Sequence, residues 1–234
     1  MASKTQRIID AALKRGDAAL SEHDSKKLLA AYGVPVSKER LVGTAAAARA
    51  AAGRIGYPVV LKACAADQAH KTETGLIAVN LGTQKALSAA FAELKARAGA
   101  DYDGAFLVQE MVKGAREIMI GMHRDAQFGP AVMFGLGGIF TEILQDVVFR
   151  IAPLRKRDAL EMTRGIRAHR ILDAVRGMPA VDLDSLTRSL MAVGKLALDH
   201  PDIAEIDINP LIVRGDKPVA VDALVVLSAT APGR

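Results

Sequence analysis

Lys62 closes an apolar run: residues 57–62 read Tyr-Pro-Val-Val-Leu-Lys. Strand alternation sets Val59, Leu61 and Ala63 on one face and Val60, Lys62 and Cys64 on the other. An ammonium inside such a strand is costly to bury unpaired, so it either snorkels to solvent or meets an anion. A polar loop follows, residues 69–75 reading Ala-His-Lys-Thr-Glu-Thr-Gly. Its backbone N–H groups could fold over phosphate, or the loop could simply be solvated. His70 is the candidate nucleophile there, because imidazole can accept a phosphoryl group.

Two further stretches carry carboxylates at useful spacing. Residues 108–117 read Val-Gln-Glu-Met-Val-Lys-Gly-Ala-Arg-Glu, two strands meeting at a short glycine connection. That connection is either a plain hairpin or a hinge whose free backbone groups meet an adenine edge, with Glu117 in reach of ribose hydroxyls. Residues 204–211 read Ala-Glu-Ile-Asp-Ile-Asn-Pro-Leu. Alternation puts Glu205, Asp207 and Asn209 on one face and Ile206 and Ile208 on the core face. If Gly215-Asp216 is a two-residue turn, paired residue numbers sum to 431 and Asn209 lies opposite Asp222. These oxygen groups suit Mg²⁺, which takes one or two carboxylates and leaves room for phosphates. The plain reading is the polar face of a half-exposed hairpin.

These residues need a scaffold of alternating strands and helices. Helical spacing covers residues 5–20, and Ser21 looks like the cap of a second helix that stops at Gly33. Strands are expected at 40–43, 59–64, 76–81, 105–111 and 117–123. Thr44 and Thr83 cap helices that run to about Gly56 and Ala98. The second half holds strands at 131–134 and 147–151, helices at 156–167 and 183–199, and a closing hairpin, 204–213 with 218–226. Strands separated by helices argue for layered α/β or α+β architecture.

Composition excludes several function classes. Net charge is +5, from 31 basic and 26 acidic residues, and the signs are mixed without a basic arm. Aromatics make up 4% and Trp is absent, so single-strand stacking platforms are missing and no nucleic-acid partner is expected. One cysteine, Cys64, rules out an internal disulfide and a cysteine zinc cluster; a small buried hydrophobe is the expected role. No run approaches the ~18 apolar residues of a membrane span, and the first residues lack a signal core. A cytoplasmic protein with no membrane partner is the expectation.

Taken in order, these pieces resemble the ATP-grasp domain of the NDP-forming acyl-CoA synthetases, as in the beta subunit of ADP-forming acetyl-CoA synthetase. The resemblance begins at residues 20–36, Leu-Ser-Glu-His-Asp-Ser-Lys-Lys-Leu-Leu-Ala-Ala-Tyr-Gly-Val-Pro-Val. It continues through 57–62, 70–73, 109–110, the glycine segment 133–142, and Phe-Arg-Ile-Ala-Pro-Leu at 149–154. It ends at 205–211 and 221–223.

The resemblance implies one ATP-grasp domain over 1–234, an N-terminal lobe 1–110 with its leading helices and a C-terminal lobe 111–234, with the nucleotide between their sheets. It implies that Lys62 holds ATP phosphates, helped by Lys71 and Thr72. Glu110 to Val112 would form the adenine hinge and Glu117 bind ribose. Gly137, Gly138, Glu142 and Arg150 would wall the site. Asn209 and Asp222, with Asp207 beside them, would bind Mg²⁺. His70 would carry a phosphoryl group to a CoA-binding alpha-type partner subunit, which would bring CoA and the carboxylic acid. Where the family often has Asp-Val-Gly-Gly, this chain has Glu73-Thr74-Gly75-Leu76. The implied reaction joins acid, CoA and ATP to give acyl-CoA, ADP and phosphate. The alternatives are a stand-alone ATP-grasp carboxylate ligase, with no use for a phosphohistidine, and a non-catalytic nucleotide-sensing module.

Overall fold

The computed structural model describes residues 3–65, 75–99, 101–102, 104–138 and 145–228. The chain divides into two compact units: Ser21–His23 with Ser37–Met111, and Met1–Leu20 with Asp24–Val36 and Val112–Arg234. The leading helices therefore belong with the C-terminal part and not with a lobe 1–110. The reason is apolar: Ile9 and Ala12 of the first helix and Leu28 and Leu29 of the second are buried in the larger unit's core.

The smaller unit is a four-stranded sheet of β1 (Glu39–Val42), β2 (Val59–Cys64), β3 (Ile77–Leu81) and β4 (Ala105–Glu110), in the order β1-β4-β2-β3. Helices α3 (Ala45–Ile55) and α4 (Gln84–Ala98) cover one face. Both start at threonine caps: Thr44 accepts from the Ala47 N–H and Thr83 from the Ala86 N–H, each at 3.1 Å. Such caps satisfy an otherwise orphaned first-turn donor. Ala48, Ala51 and Ala52 line the buried stripe of α3. Val59, Leu61, Ala63, Phe106 and Val108 meet that layer from the sheet.

The larger unit starts with α1 (Lys4–Arg15) and most of α2 (Glu22–Ala31). α1 ends at Arg15 and not at residue 20. Gly16 takes φ 82° and its N–H closes back on the last turn, a left-handed stop that glycine adopts without penalty. The sheet contains β5 (Glu117–Asp125), β6 (Gly129–Leu136), β7 (Val147–Ile151), β8 (Ile203–Arg214), β9 (Lys217–Ala220) and β10 (Leu224–Leu227). Their order is β10-β8-β5-β6-β7, with β9 also on β8. Central β5 is buried from Ile118 to Met122. α5 (Lys156–Gly165) and the 17-residue α6 (Leu183–Asp199) belong to this unit. Leu186, Leu190, Val193 and Ala197 give α6 its apolar stripe into the core.

Every strand pair within the two sheets is antiparallel, so of the two expected classes the fold is α+β. The register sum of 431 holds, from Arg214↔Lys217 to Leu211↔Ala220 and again from Asp207↔Leu224 to Glu205↔Val226. The expected single return strand 218–226 is broken, however, at residues 221–223. Among the described residues no helix is long and apolar enough to cross a membrane.

Candidate functional site

In the smaller unit Lys62 pairs across β2 with Leu107 of β4 and Ile77 of β3. Leu61 and Ala63 sink into the helix-backed core, so Lys62 sits on the opposite face, as alternation requires. It does not snorkel. Lys62 is 3% exposed, and its Nζ donates to Glu22 Oε1 at 2.8 Å. His23, the next residue of α2, lies with Nδ1 2.8 Å from Glu39 Oε1. Glu39 stands opposite Gln109, and Gln109 opposite Val60, so both belong to the Lys62 face. Glu110 ends β4 with Oε1 accepting the Lys38 N–H at 2.9 Å. The Met111 N–H donates to Pro58 O at 3.2 Å. Cys64 is buried and its N–H donates to the Tyr102 hydroxyl at 2.8 Å, which suits the hydrophobe reading.

In the larger unit the sheet face away from the core carries Glu117, Asp207 and Asn209. Ile118, Ile120, Ile206 and Ile208 fill the core, and the alternate residues face outward. Gly137 and Gly138 continue from β6 beside the start of β5. The Gly137 N–H donates to Glu117 O at 2.9 Å, and the Gly138 N–H to Asn209 Oδ1 at 3.0 Å. Gly138 has φ 62°, and a Cβ there would run into Glu117 Oε2. The left-handed backbone and the close approach of Glu117 thus favour glycine where the ribose and metal candidates approach each other.

Asp222 lies in the break between β9 and β10, at the register position facing Asn209. Val221 N–H still reaches Pro210 O at 3.2 Å on one side, and Leu224 pairs with Asp207 on the other. Asp207 Oδ1 is buried and finds no hydrogen-bond partner among the described residues. Burial, then the charges of Glu205 and Asp222, push its carboxyl up to about 6. An orphaned carboxylate oxygen among like charges is what a divalent cation relieves. Among the described residues no three His, Cys, Asp or Glu side chains are set to hold a metal alone. The set fits Mg²⁺ bound by an amide oxygen and one or two carboxylates, with phosphate oxygens or water completing the shell.

Not every candidate joins these sets. Val112 is buried against Val219 and Val221, so it offers backbone and not its side chain. Arg150 pairs with Val132 on edge strand β7. Val132 lies in the core, so alternation places Arg150 on the sheet face opposite Asp207 and Asn209, where its guanidinium meets Phe149 O at 3.0 Å. His70, Lys71, Thr72 and Glu142 lie outside the described residues. Sequence reasoning missed Glu22 as the partner of Lys62. Its only signal was an acid in the first turn of α2, and nothing in spacing links it to a strand 40 residues on.

Comparison with known proteins adds an independent line. Residues 11–227 match the ATP-grasp domain family. The chain is 42% identical over 230 residues to the acetate–CoA ligase [ADP-forming] I subunit beta of Pyrococcus furiosus, covering 96% of this chain and 98% of that one. It is 39% identical over 227 residues to acetate–CoA ligase [ADP-forming] I of Archaeoglobus fulgidus, covering 96% of this chain but 33% of that longer one. Among solved structures it is similar to the dinucleotide-forming acetyl-coenzyme A synthetase 1 of Ca. Korarchaeum cryptofilum, at 36% identity and TM-score 0.86, covering 96% of this chain and 100% of that one. That protein is in complex with coenzyme A and Mg-AMPPCP, its phosphohistidine segment pointing towards the nucleotide binding site.

Proposed function

We propose, on the premise that this chain belongs to the ATP-grasp family of ADP-forming acetate–CoA ligase beta subunits, that it is the ATP-binding subunit of an ADP-forming acyl-CoA synthetase. It uses ATP or ADP with Mg²⁺. Lys62 neutralises phosphate charge, backbone around Glu110–Val112 meets adenine, and Glu117 takes the ribose. Asn209 and Asp222, with Asp207 nearby, hold Mg²⁺, which when bound spreads the charge of the transferring group. The γ-phosphoryl of ATP passes to a His70 nitrogen as the bond to ADP oxygen breaks. It then passes to the carboxylic acid, and thiol attack by CoA releases phosphate.

One observation carries this reading: the oxygen face of the larger sheet, where Gly138 holds Asn209 and a buried oxygen of Asp207 has no partner among the described residues. Full-length likeness to a protein named a beta subunit supports a separate CoA-binding alpha-type partner. The longer Archaeoglobus relative, of which the match is one third, supports it too. A cytoplasmic location belongs to the same proposal. The test is reconstitution. The chain alone binds Mg-ATP and makes no acetyl-CoA; mixed with the CoA-binding subunit it makes acetyl-CoA, and His70→Ala abolishes synthesis while keeping ATP binding. Synthesis by the chain alone, or by the His70→Ala complex, overturns the proposal.

A further inference from the structure

The first turn of α2 delivers a carboxylate to the middle of β2. Glu22 and Lys62 meet at 2.8 Å with side chains 1% and 4% exposed. So dry a pair does not arise from surface charge matching. An exposed pair gains little from such contact, whereas a buried ammonium without a nearby anion is strongly disfavoured. The strand neighbours of Lys62, Leu107 and Ile77, bring no charge. Titratable groups on the elements around the pair include Glu22 and His23 of α2, Lys26 one turn on from Glu22 and itself 0% exposed, Glu39 of β1 and Cys64 of β2 itself. Glu39 is engaged by His23.

We propose that Glu22 is a positioning residue for nucleotide binding: it keeps Lys62 charged and fixed in the nucleotide-free protein and yields it to phosphate. This rests on Lys62 as the phosphate-binding lysine. The carboxylate stands in for the phosphate before the nucleotide arrives. Binding then exchanges one anion for another beside an ammonium that is already protonated, so no proton is taken up. The same exchange orders little, because Nζ is held in place beforehand.

Calorimetric titration of the full chain with Mg-ADP, in buffers of different ionisation enthalpy, tests this. The range runs from about pH 7 to about pH 9.5, approaching where an ordinary lysine releases its proton. Wild type binds with pH-independent affinity and no proton uptake. Glu22→Gln keeps the shape and removes the charge, so Lys62 gives up its proton at lower pH. Binding by that variant takes up a proton, and its affinity falls by up to about tenfold per pH unit at the alkaline end. Glu22→Asp keeps the charge and restores the flat profile, which a purely structural role for residue 22 would not produce. Lys62→Met separates the two readings. If it weakens binding while folded Glu22→Gln tracks wild type at every pH, Lys62 stands and the role of Glu22 falls. If Lys62→Met binds as wild type does, the lysine assignment falls and takes this proposal with it.

Discussion

Asn209 Oδ1 accepts the backbone N–H of Gly138 at 3.0 Å, so the end of β6 holds the side chain of a residue on β8, two strands away. The two neighbouring glycines at this point do different work. A Cβ on Gly137 would lie 2.6 Å from Ile118 O, and that backbone cannot move aside. A Cβ on Gly138 would meet only the carboxylate end of Glu117, which can swing away.

The first prediction follows from that contrast. Gly138→Ala costs about 1–2 kcal/mol for left-handed backbone and displaces Glu117 and Asn209. The protein stays folded and Mg-ATP affinity drops about tenfold or more, measured by calorimetry. Gly137→Ala lowers the thermal midpoint further. Equal effects of both variants on melting and on binding would contradict the assignment.

The second prediction concerns the dry ion pair. Lys62→Met removes the ammonium 2.8 Å from a carboxylate that is 1% exposed, and unfolding free energy falls by about 3–5 kcal/mol. The double variant Glu22→Gln/Lys62→Met removes both charges and regains most of the loss. Denaturant unfolding of the four proteins gives the coupling directly. Additive losses would show that the pair is not coupled in solution.

Legibility of the fold divided along a physical line. Alternation in 59–64 placed Lys62 on the correct side of β2, and the turn at Gly215-Asp216 gave the register of β8 with β9, because both are local properties of the chain. Thr44 and Thr83 were readable as caps for the same reason. The Glu22–Lys62 pair was not readable, since tertiary packing alone joins them. Nor was the break at 221–223: the apolar pattern continues through it while strand pairing does not. Arg150 came from resemblance, and the alternation of β7, traced through Val132, puts it on the far face.

His200 supplies a pH-dependent prediction away from the nucleotide candidates. Its Nδ1 lies 2.8 Å from Gln6 Oε1 and its Nε2 3.1 Å from the Tyr32 hydroxyl, which donates to Asp199 at 2.8 Å. Burial holds its imidazolium below the ordinary histidine range, against the pull of Asp199, Asp202 and Asp10. The folded ring therefore resists a proton that the unfolded ring accepts below about pH 6.5. Stability from this group is whole above that pH and is lost as pH falls towards the lower folded value. His200→Gln should flatten the fall in thermal midpoint between about pH 7.5 and about pH 5. Parallel curves for variant and wild type would remove His200 as the cause.

Asp222→Asn should separate metal binding from folding, because the same carboxylate affects them with opposite sign. Its charge sits in the gap between β9 and β10, and one oxygen already accepts the Ala223 N–H at 2.9 Å. That bond holds the side chain in place and survives in asparagine, whose Oδ1 is also an acceptor. The charge does not survive, and its loss has two consequences. Asp207, raised to about 6 partly by Asp222, loses one repelling neighbour, so the metal-free protein becomes no less stable and melts at the same or a slightly higher temperature. Mg²⁺ meanwhile loses an anionic ligand, and the Mg²⁺ concentration for half-maximal ATP binding rises by at least about tenfold. Thermal melts run with and without Mg-ATP record both effects at once. A structural role for Asp222 predicts the reverse of the first, a lower melting temperature without metal. An unchanged Mg²⁺ requirement would place the metal elsewhere.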